Sequence, residues 1–226
     1  RQRQMCIRDS YTGLFKWPTI GEIINSYKEG WSIFVSSLAV NLYTATNIVV
    51  LGMLTNNVIV GYYSAADKLI TCVRRGIYAV SDAIYPFISK MMKDDISKGL
   101  QFIKKQIFLY LVVGLISCTS LFFFSDTIVK LLFGADYNLT VDVLRILSFV
   151  PLAVAISTVF GEETMLPLNM NSAYSRTLVL AAFFSLLSIF PLCYLWGAKG
   201  VAMTMLLTEF LIMIIMGGLL RKQLFQ

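Results

Sequence analysis

The sequence contains no histidine, which removes the commonest side chain for general acid–base work and for metal ligation at neutral pH. Charge is scarce as well. Asp, Glu, Lys and Arg together make up 14% of the chain, against about 25% in an ordinary soluble domain. The four cysteines, Cys6, Cys72, Cys118 and Cys193, show no CxxC spacing, so neither a disulfide framework nor a zinc site is indicated. Cys72, Cys118 and Cys193 fall in apolar stretches and read as small buried hydrophobes. Catalytic residues, metal ligands and a resident cofactor therefore have no candidates, and nothing points to nucleic acid. What the chain has instead is apolar surface: hydrophobic residues are 57% of it and the mean hydropathy is +0.72. A soluble fold of this length could bury one core but not several apolar runs of near membrane-spanning length.

The first ten residues stand apart. Arg1–Ser10 matches, codon by codon, the translation of a transposase adapter end used in sequencing libraries; a natural basic arm is the alternative. Read as non-native, the segment is set aside from fold reasoning. Three arginines and one aspartate leave with it, so the net charge falls from +6 to +4. The remainder, 11–226, then reads as part of a gene whose upstream portion is absent.

A bilayer core of about 30 Å needs roughly 20 mostly apolar residues per helix. Six stretches are predicted to span: Trp31–Leu54, Val58–Phe87, Ile107–Phe124, Val143–Phe160, Leu178–Trp196 and Val201–Leu220. Breaker-rich turns separate them at Thr55-Asn56-Asn57, Gly134-Ala135-Asp136 and Gly197-Ala198-Lys199-Gly200. Tyr11–Gly30 reads as an amphipathic lead-in that starts at Trp17-Pro18. The excess of Lys and Arg in short loops sets orientation. One side would hold Lys16, Lys28, Lys90, Lys93, Lys98, Lys104, Lys105, Arg176, Arg221 and Lys222. The other would hold Lys130 and Lys199, with Arg145 at a span entrance. Both ends are thus predicted to be cytoplasmic, and Trp31, Tyr137, Tyr194 and Trp196 fit an aromatic belt.

The second span is the informative one. Tyr63, Asp67, Lys68, Thr71, Arg74, Arg75, Tyr78, Asp82 and Tyr85 share one broad helical face at 100° per residue. Each charge facing lipid at the bilayer centre costs roughly 2.5–3.5 kcal/mol, so the stripe must face protein or water. One reading is that these charges pair with neighbouring helices and lock the bundle. The other is a ligand cavity: three cations against two acids leave a surplus of base, which suits phosphate or an acidic sugar. Arg74 and Arg75 could grip a pyrophosphate bidentately, with Lys68 as a point charge.

Weaker signals flank it. The first span carries Ser37, Asn41, Thr44 and Asn47, whose amides and hydroxyls could bind sugar or another helix. Glu209, alone in the last span, reads equally as a titrating group for ion coupling or as a helix–helix tether. Glu162-Glu163 reads as a solvated edge. The Lys90–Lys105 run reads as an orientation signal beside anionic lipid.

Certain blocks also resemble a known family. They are Leu51-Gly52, Asn56-Asn57-Val58-Ile59-Val60-Gly61-Tyr62-Tyr63-Ser64-Ala65-Ala66-Asp67-Lys68 and Ser81-Asp82-Ala83-Ile84-Tyr85-Pro86-Phe87-Ile88-Ser89-Lys90. Leu132-Phe133-Gly134, Leu144-Arg145-Ile146-Leu147-Ser148, Leu166-Pro167-Leu168, Gly197-Ala198-Lys199-Gly200-Val201-Ala202 and Glu209 continue them. Together they resemble the Wzx-type O-antigen flippases of the multidrug/oligosaccharidyl-lipid/polysaccharide exporter superfamily; that family usually has a small polar residue at the place of Ser81 and Gln at the next, so Asp82 departs from its pattern.

The resemblance implies an all-α membrane protein of twelve or more helices, of which this chain would be the C-terminal six-helix bundle of two. It implies flipping of an oligosaccharide on undecaprenyl pyrophosphate across the bacterial inner membrane, by alternating access. Lys68, Arg74, Arg75, Asn41, Asn47 and Tyr63 are then the substrate-binding candidates. Asp67, Glu209 and Asp82 are candidates for coupling to a proton or sodium ion. Implied partners are the lipid-linked oligosaccharide, membrane lipids, and polysaccharide polymerase and chain-length proteins. Rival readings are a drug or peptidoglycan-precursor exporter of the same superfamily, or an integral-membrane polymerase or ligase. The last would need a sizeable outer loop bearing catalytic groups, and the outer loops here are short.

Overall fold

A computed structural model describes residues 20–134 and 136–224. The adapter-like segment with Cys6, the Trp17-Pro18 lead-in and Ala135 lie outside them. All regular structure among the described residues is helical. No proline interrupts the stretch after Ile20, so the described part of the amphipathic lead-in, from Ile20 on, is continuous with the first span in one 35-residue helix, α1 (Ile20–Leu54). Asn56 then adopts an extended backbone and its side chain accepts the Ile59 N–H at 3.0 Å. That N-cap starts α2 (Asn57–Asp94), 38 residues long with Pro86 inside it. Asp95 ends α2 and caps α3 (Ile96–Phe123), its carboxylate accepting the N–H groups of Ser97 at 2.9 Å and Lys98 at 3.3 Å. The Lys90–Lys105 run thereby forms a helical hairpin.

A short α4 (Ser125–Phe133) follows, and Gly134 (φ 99°) supplies the turn that a side chain would resist. The expected span Val143–Phe160 is not one helix. It is built from α5 (Asn138–Leu147) and α6 (Val150–Thr158), interrupted at Ser148-Phe149 because Pro151 sits in the first turn of α6 without an N–H to offer. α6 runs directly into a π-helical turn, Val159–Met165. The chain closes with α7 (Asn171–Trp196) and α8 (Ala198–Leu224). At their junction Gly200 lies so close to the Leu192 carbonyl that an added Cβ would overlap it.

Five segments are long and apolar enough to cross a bilayer: Phe34–Leu54, Ile96–Phe123, Asn138–Met165, Asn171–Trp196 and Ala198–Arg221. α2 has the length but carries the charges of the stripe. Met53, Phe123, Leu131 and Tyr194 leave 76–82% of their surface uncovered, an apolar exterior that belongs in lipid rather than in water. The chain is a multi-pass, all-α membrane protein.

α7 packs most extensively on α1 and α8, and α3 on α6. The buried apolar residues form two main clusters. One centres on Leu51, Tyr63, Ile70, Leu144 and Met205; the other on Ile77, Ile88, Ile103, Met165 and Met216. Arg74 lies between Ile70 and Ile77 along α2, and Glu209 between Met205 and Ile212 along α8. A polar layer therefore occupies the seam between the clusters. Cys118 and Cys193 are buried as read, but Cys72 is exposed on α2.

Candidate functional site

The seam opens into a cavity of about 500 Å³, within the range typical of small-ligand pockets. α1 contributes Ser36, Ser37, Val40, Asn41 and Tyr43 to its wall, and α2 contributes Arg74, Tyr78, Ser81, Asp82 and Tyr85. Ser157 and Thr158 come from the end of α6, Glu162 from the π turn, Tyr174 and Leu178 from α7, and Glu209, Ile212 and Met216 from α8. Four tyrosines, several hydroxyls and an amide thus surround four charged groups.

The charges are arranged differently from the sequence expectation. Arg74 Nη2 lies 3.1 Å from Glu209 Oε1, with only 11% and 4% of the two side chains exposed. Tyr43 donates its hydroxyl to the same carboxylate oxygen at 3.2 Å. Through these contacts Glu209 links α8 to α1 and α2. Across the wall one cation, Arg74, faces three acids, Asp82, Glu162 and Glu209. The surplus of base expected from the stripe does not reach the cavity, because Lys68 and Arg75 are exposed and lie outside its wall. Successive positions on a helix diverge by about 100°, so adjacent Arg74 and Arg75 enter different surroundings instead of forming one clamp.

The remaining candidates divide in the same way. Asn41 is exposed and lines the cavity. Asn47 and Tyr63 are buried outside the cavity wall, and the Tyr63 hydroxyl meets the Met205 sulfur at 3.8 Å within the Leu51 cluster. Asp67 is half-buried and outside the wall, whereas Asp82 is on it. Thr44 bonds back to the Val40 carbonyl at 2.8 Å and is spent locally.

Glu162-Glu163 is not a solvated edge. The π turn, in which the Leu166 N–H reaches the Gly161 carbonyl at 3.1 Å, turns both acids into the bundle. Glu162 enters the cavity wall, and Glu163 is fully buried, accepting the Tyr110 hydroxyl at 2.8 Å. Gly161 makes room for this: the Tyr174 ring and the Met216 sulfur occupy the space its Cβ would fill. Tyr43, Tyr174 and Thr158 escaped sequence reasoning, and the two glutamates were misplaced by it, because the residues that surround them are far along the chain. The one local signal was Gly161 followed by Pro167, two breakers bracketing an apolar helix end. Among the described residues no group of three or more His, Cys, Asp or Glu could hold a metal ion.

Comparison with known proteins bears on what such a cavity serves. Residues 3–92 match the family described as polysaccharide biosynthesis protein. Over 194 residues the chain is 31% identical to the "Putative O-antigen transporter" of Escherichia coli (strain K12), covering 86% of this chain and 47% of that protein. A protein of the same name from Shigella dysenteriae is 30% identical over 194 residues, covering 86% and 48%. The "Capsular polysaccharide biosynthesis protein CapF" of Staphylococcus aureus is 27% identical over 184 residues, covering 79% and 45%. The chain spans about half the length of these relatives. No solved structure matches it.

Proposed function

We propose that this chain belongs to the polysaccharide biosynthesis protein family that its residues 3–92 match, and is part of a transporter that moves an oligosaccharide, carried on undecaprenyl pyrophosphate, across the bacterial inner membrane. The observation that carries this reading is the cavity: about 500 Å³ of polar space inside an apolar bundle, walled by tyrosines, hydroxyls, an amide and carboxylates. Tyrosine faces stack on sugar rings, and carboxylates and amides accept and donate to sugar hydroxyls. The surplus of acid disfavours a diphosphate there. We therefore assign the cavity to the sugar and the exposed Lys68 and Arg75 to the diphosphate, leaving Arg74 as the organiser of Glu209.

On this reading α2 is a sixth span, its charged face turned from lipid toward the remainder of a protein about twice this length. The six helices are one of two bundles, and alternating access moves one against the other around the site. Asp82 and Glu209 in the cavity, with Asp67 nearby on α2, remain the candidates for coupling to a proton or sodium ion. Both ends of the chain lie in the cytoplasm, and polymerase and chain-length proteins act next on the product. The acid-rich wall favours one second reading, export of a cationic compound by the same architecture.

Complementation separates the two. The full-length protein should restore surface polysaccharide to a strain lacking its own transporter, and the Tyr78→Ala/Asp82→Asn variant should not, at equal membrane level. Restored polysaccharide with the cavity variant would sink the sugar assignment, and resistance to cationic dyes without polysaccharide would favour the second reading.

A further inference from the structure

The two ends of the bundle hold their cations in opposite ways. At the end formed by α4, α5 and the start of α8, each is held by a partner. Lys130 pairs with Asp126 and Lys199 with Asp142, both at 2.8 Å, and Arg145 Nε donates to Ser125 Oγ at 3.1 Å. At the other end Lys90, Lys93, Lys104, Lys105, Arg176 and Arg221 are exposed, and among the described residues none forms an ion pair. Lys98 reaches Asp95 at 3.3 Å, with 75% of its side chain still exposed.

Most of these lysines ride on the α2–α3 hairpin. At about 1.5 Å per residue, α2 and α3 are roughly 57 and 42 Å long, well beyond the roughly 30 Å of hydrocarbon they cross. The surplus lies at the hairpin tip. From Ile107, where the apolar run of α3 begins, back to Ile96 is roughly 16 Å, more than a headgroup layer of about 5–8 Å. Phe87 and Phe102, in edge contact at 5.4 Å, clasp the two helices within this stretch. Phe87, Ile96 and Phe108 stand exposed among the lysines, so apolar and cationic side chains alternate through the depth where acyl chains give way to headgroups.

We propose that the hairpin is a docking spur for the anionic phospholipid headgroups of the leaflet at this end. The cations are strung along the hairpin and across to α7 and α8, and none lines the cavity. That spread fits a laterally extended sheet of charge better than a single diphosphate, and interleaved exposed rings are what an interfacial element presents. The inference is independent of what the protein transports. Its mechanical consequence is that lipid charge steadies the same helix, α2, that carries Arg74, Tyr78, Ser81 and Asp82 into the cavity.

The test is lipid selectivity of the full-length protein in phosphatidylcholine bilayers, read from the motionally restricted fraction of trace spin-labelled phosphatidylglycerol against spin-labelled phosphatidylcholine. Selectivity for phosphatidylglycerol should fall at least about threefold in the K90Q/K93Q/K98Q/K104Q/K105Q variant. It should also fall in the unaltered protein as KCl is raised, a readout that needs no variant to fold. The K130Q/K199Q control should keep it. Undiminished selectivity in the hairpin variant, insensitivity to KCl, or loss to millimolar pyrophosphate beyond that caused by KCl of equal ionic strength would overturn the proposal, the last by revealing a point anion site.

Discussion

Arg74 shows how a residue legible in sequence can be misread in role. Its place on a charged stripe, and the cost of turning that stripe to lipid, follow from helical periodicity alone. Its partner Glu209 is 135 residues away, and no local pattern connects them. The pair is buried, and Tyr43 shares the carboxylate. Removing one member of a buried pair typically costs about 3–5 kcal/mol, because the survivor is left uncompensated, whereas replacing both by apolar groups is far milder. Glu209→Gln should therefore lower the unfolding midpoint in detergent more than the Arg74→Met/Glu209→Leu double variant does. If the single variant proves as stable as the parent, the tether is not a structural element. The same reasoning explains the false surplus of base: counting three cations against two acids on one helix omits acids that arrive from other helices.

At the scale of elements, the spans were readable because apolar length and breakers are local properties. The turn at Asn56 and the glycine turns at Gly134 and Gly197 are where they were expected, and five of the six expected spans lie in single helices containing or closely matching the expected range. α5, α6 and the π turn do make up one apolar span, Asn138–Met165, but the break inside it was not read because it needs only one proline, inside an otherwise apolar run. The π turn was missed for a related reason: one extra residue per turn leaves hydropathy unchanged while reorienting Glu162 and Glu163. The hairpin tip was read only as an orientation signal, because charge is legible residue by residue, whereas the cap that Asp95 provides depends on the local backbone.

That cap makes a local prediction. The Asp95 carboxyl titrates below the usual carboxylate range, chiefly through the Lys98 backbone N–H and side chain. Its charged form is thus favoured by the fold. The stabilisation is present above the ordinary aspartate pKa of about 3.9 and is lost as pH falls through the lower folded value. Amide protection at Ser97 and Lys98 should fall over that acid window, and Asp95→Ala should show the reduced protection already at neutral pH while Asp95→Asn keeps most of it. Equal protection in all three at neutral pH would show that the first turn of α3 does not depend on the cap.

For the whole molecule, the asymmetry of lysine and arginine predicts a direction. Single cysteines placed at Lys98 and Asn56 of the full-length protein should react with an impermeant reagent from opposite sides, Lys98 from the cytoplasm and Asn56 from the periplasm. The reverse pattern would invert the bundle. The chain covers 47–48% of its transporter-named relatives, and on the proposed two-bundle reading the α2 face bearing the exposed Lys68 and Arg75 is turned toward the second bundle and the diphosphate. The most direct test of the central claim is the sidedness of the lipid-linked oligosaccharide in membrane vesicles bearing the full-length protein. Its exposure to an impermeant sugar oxidant should shift to the periplasmic face with the unaltered protein and stay at the protein-free level with Tyr78→Ala/Asp82→Asn. Equal exposure with and without the unaltered protein would contradict transport of this substrate outright.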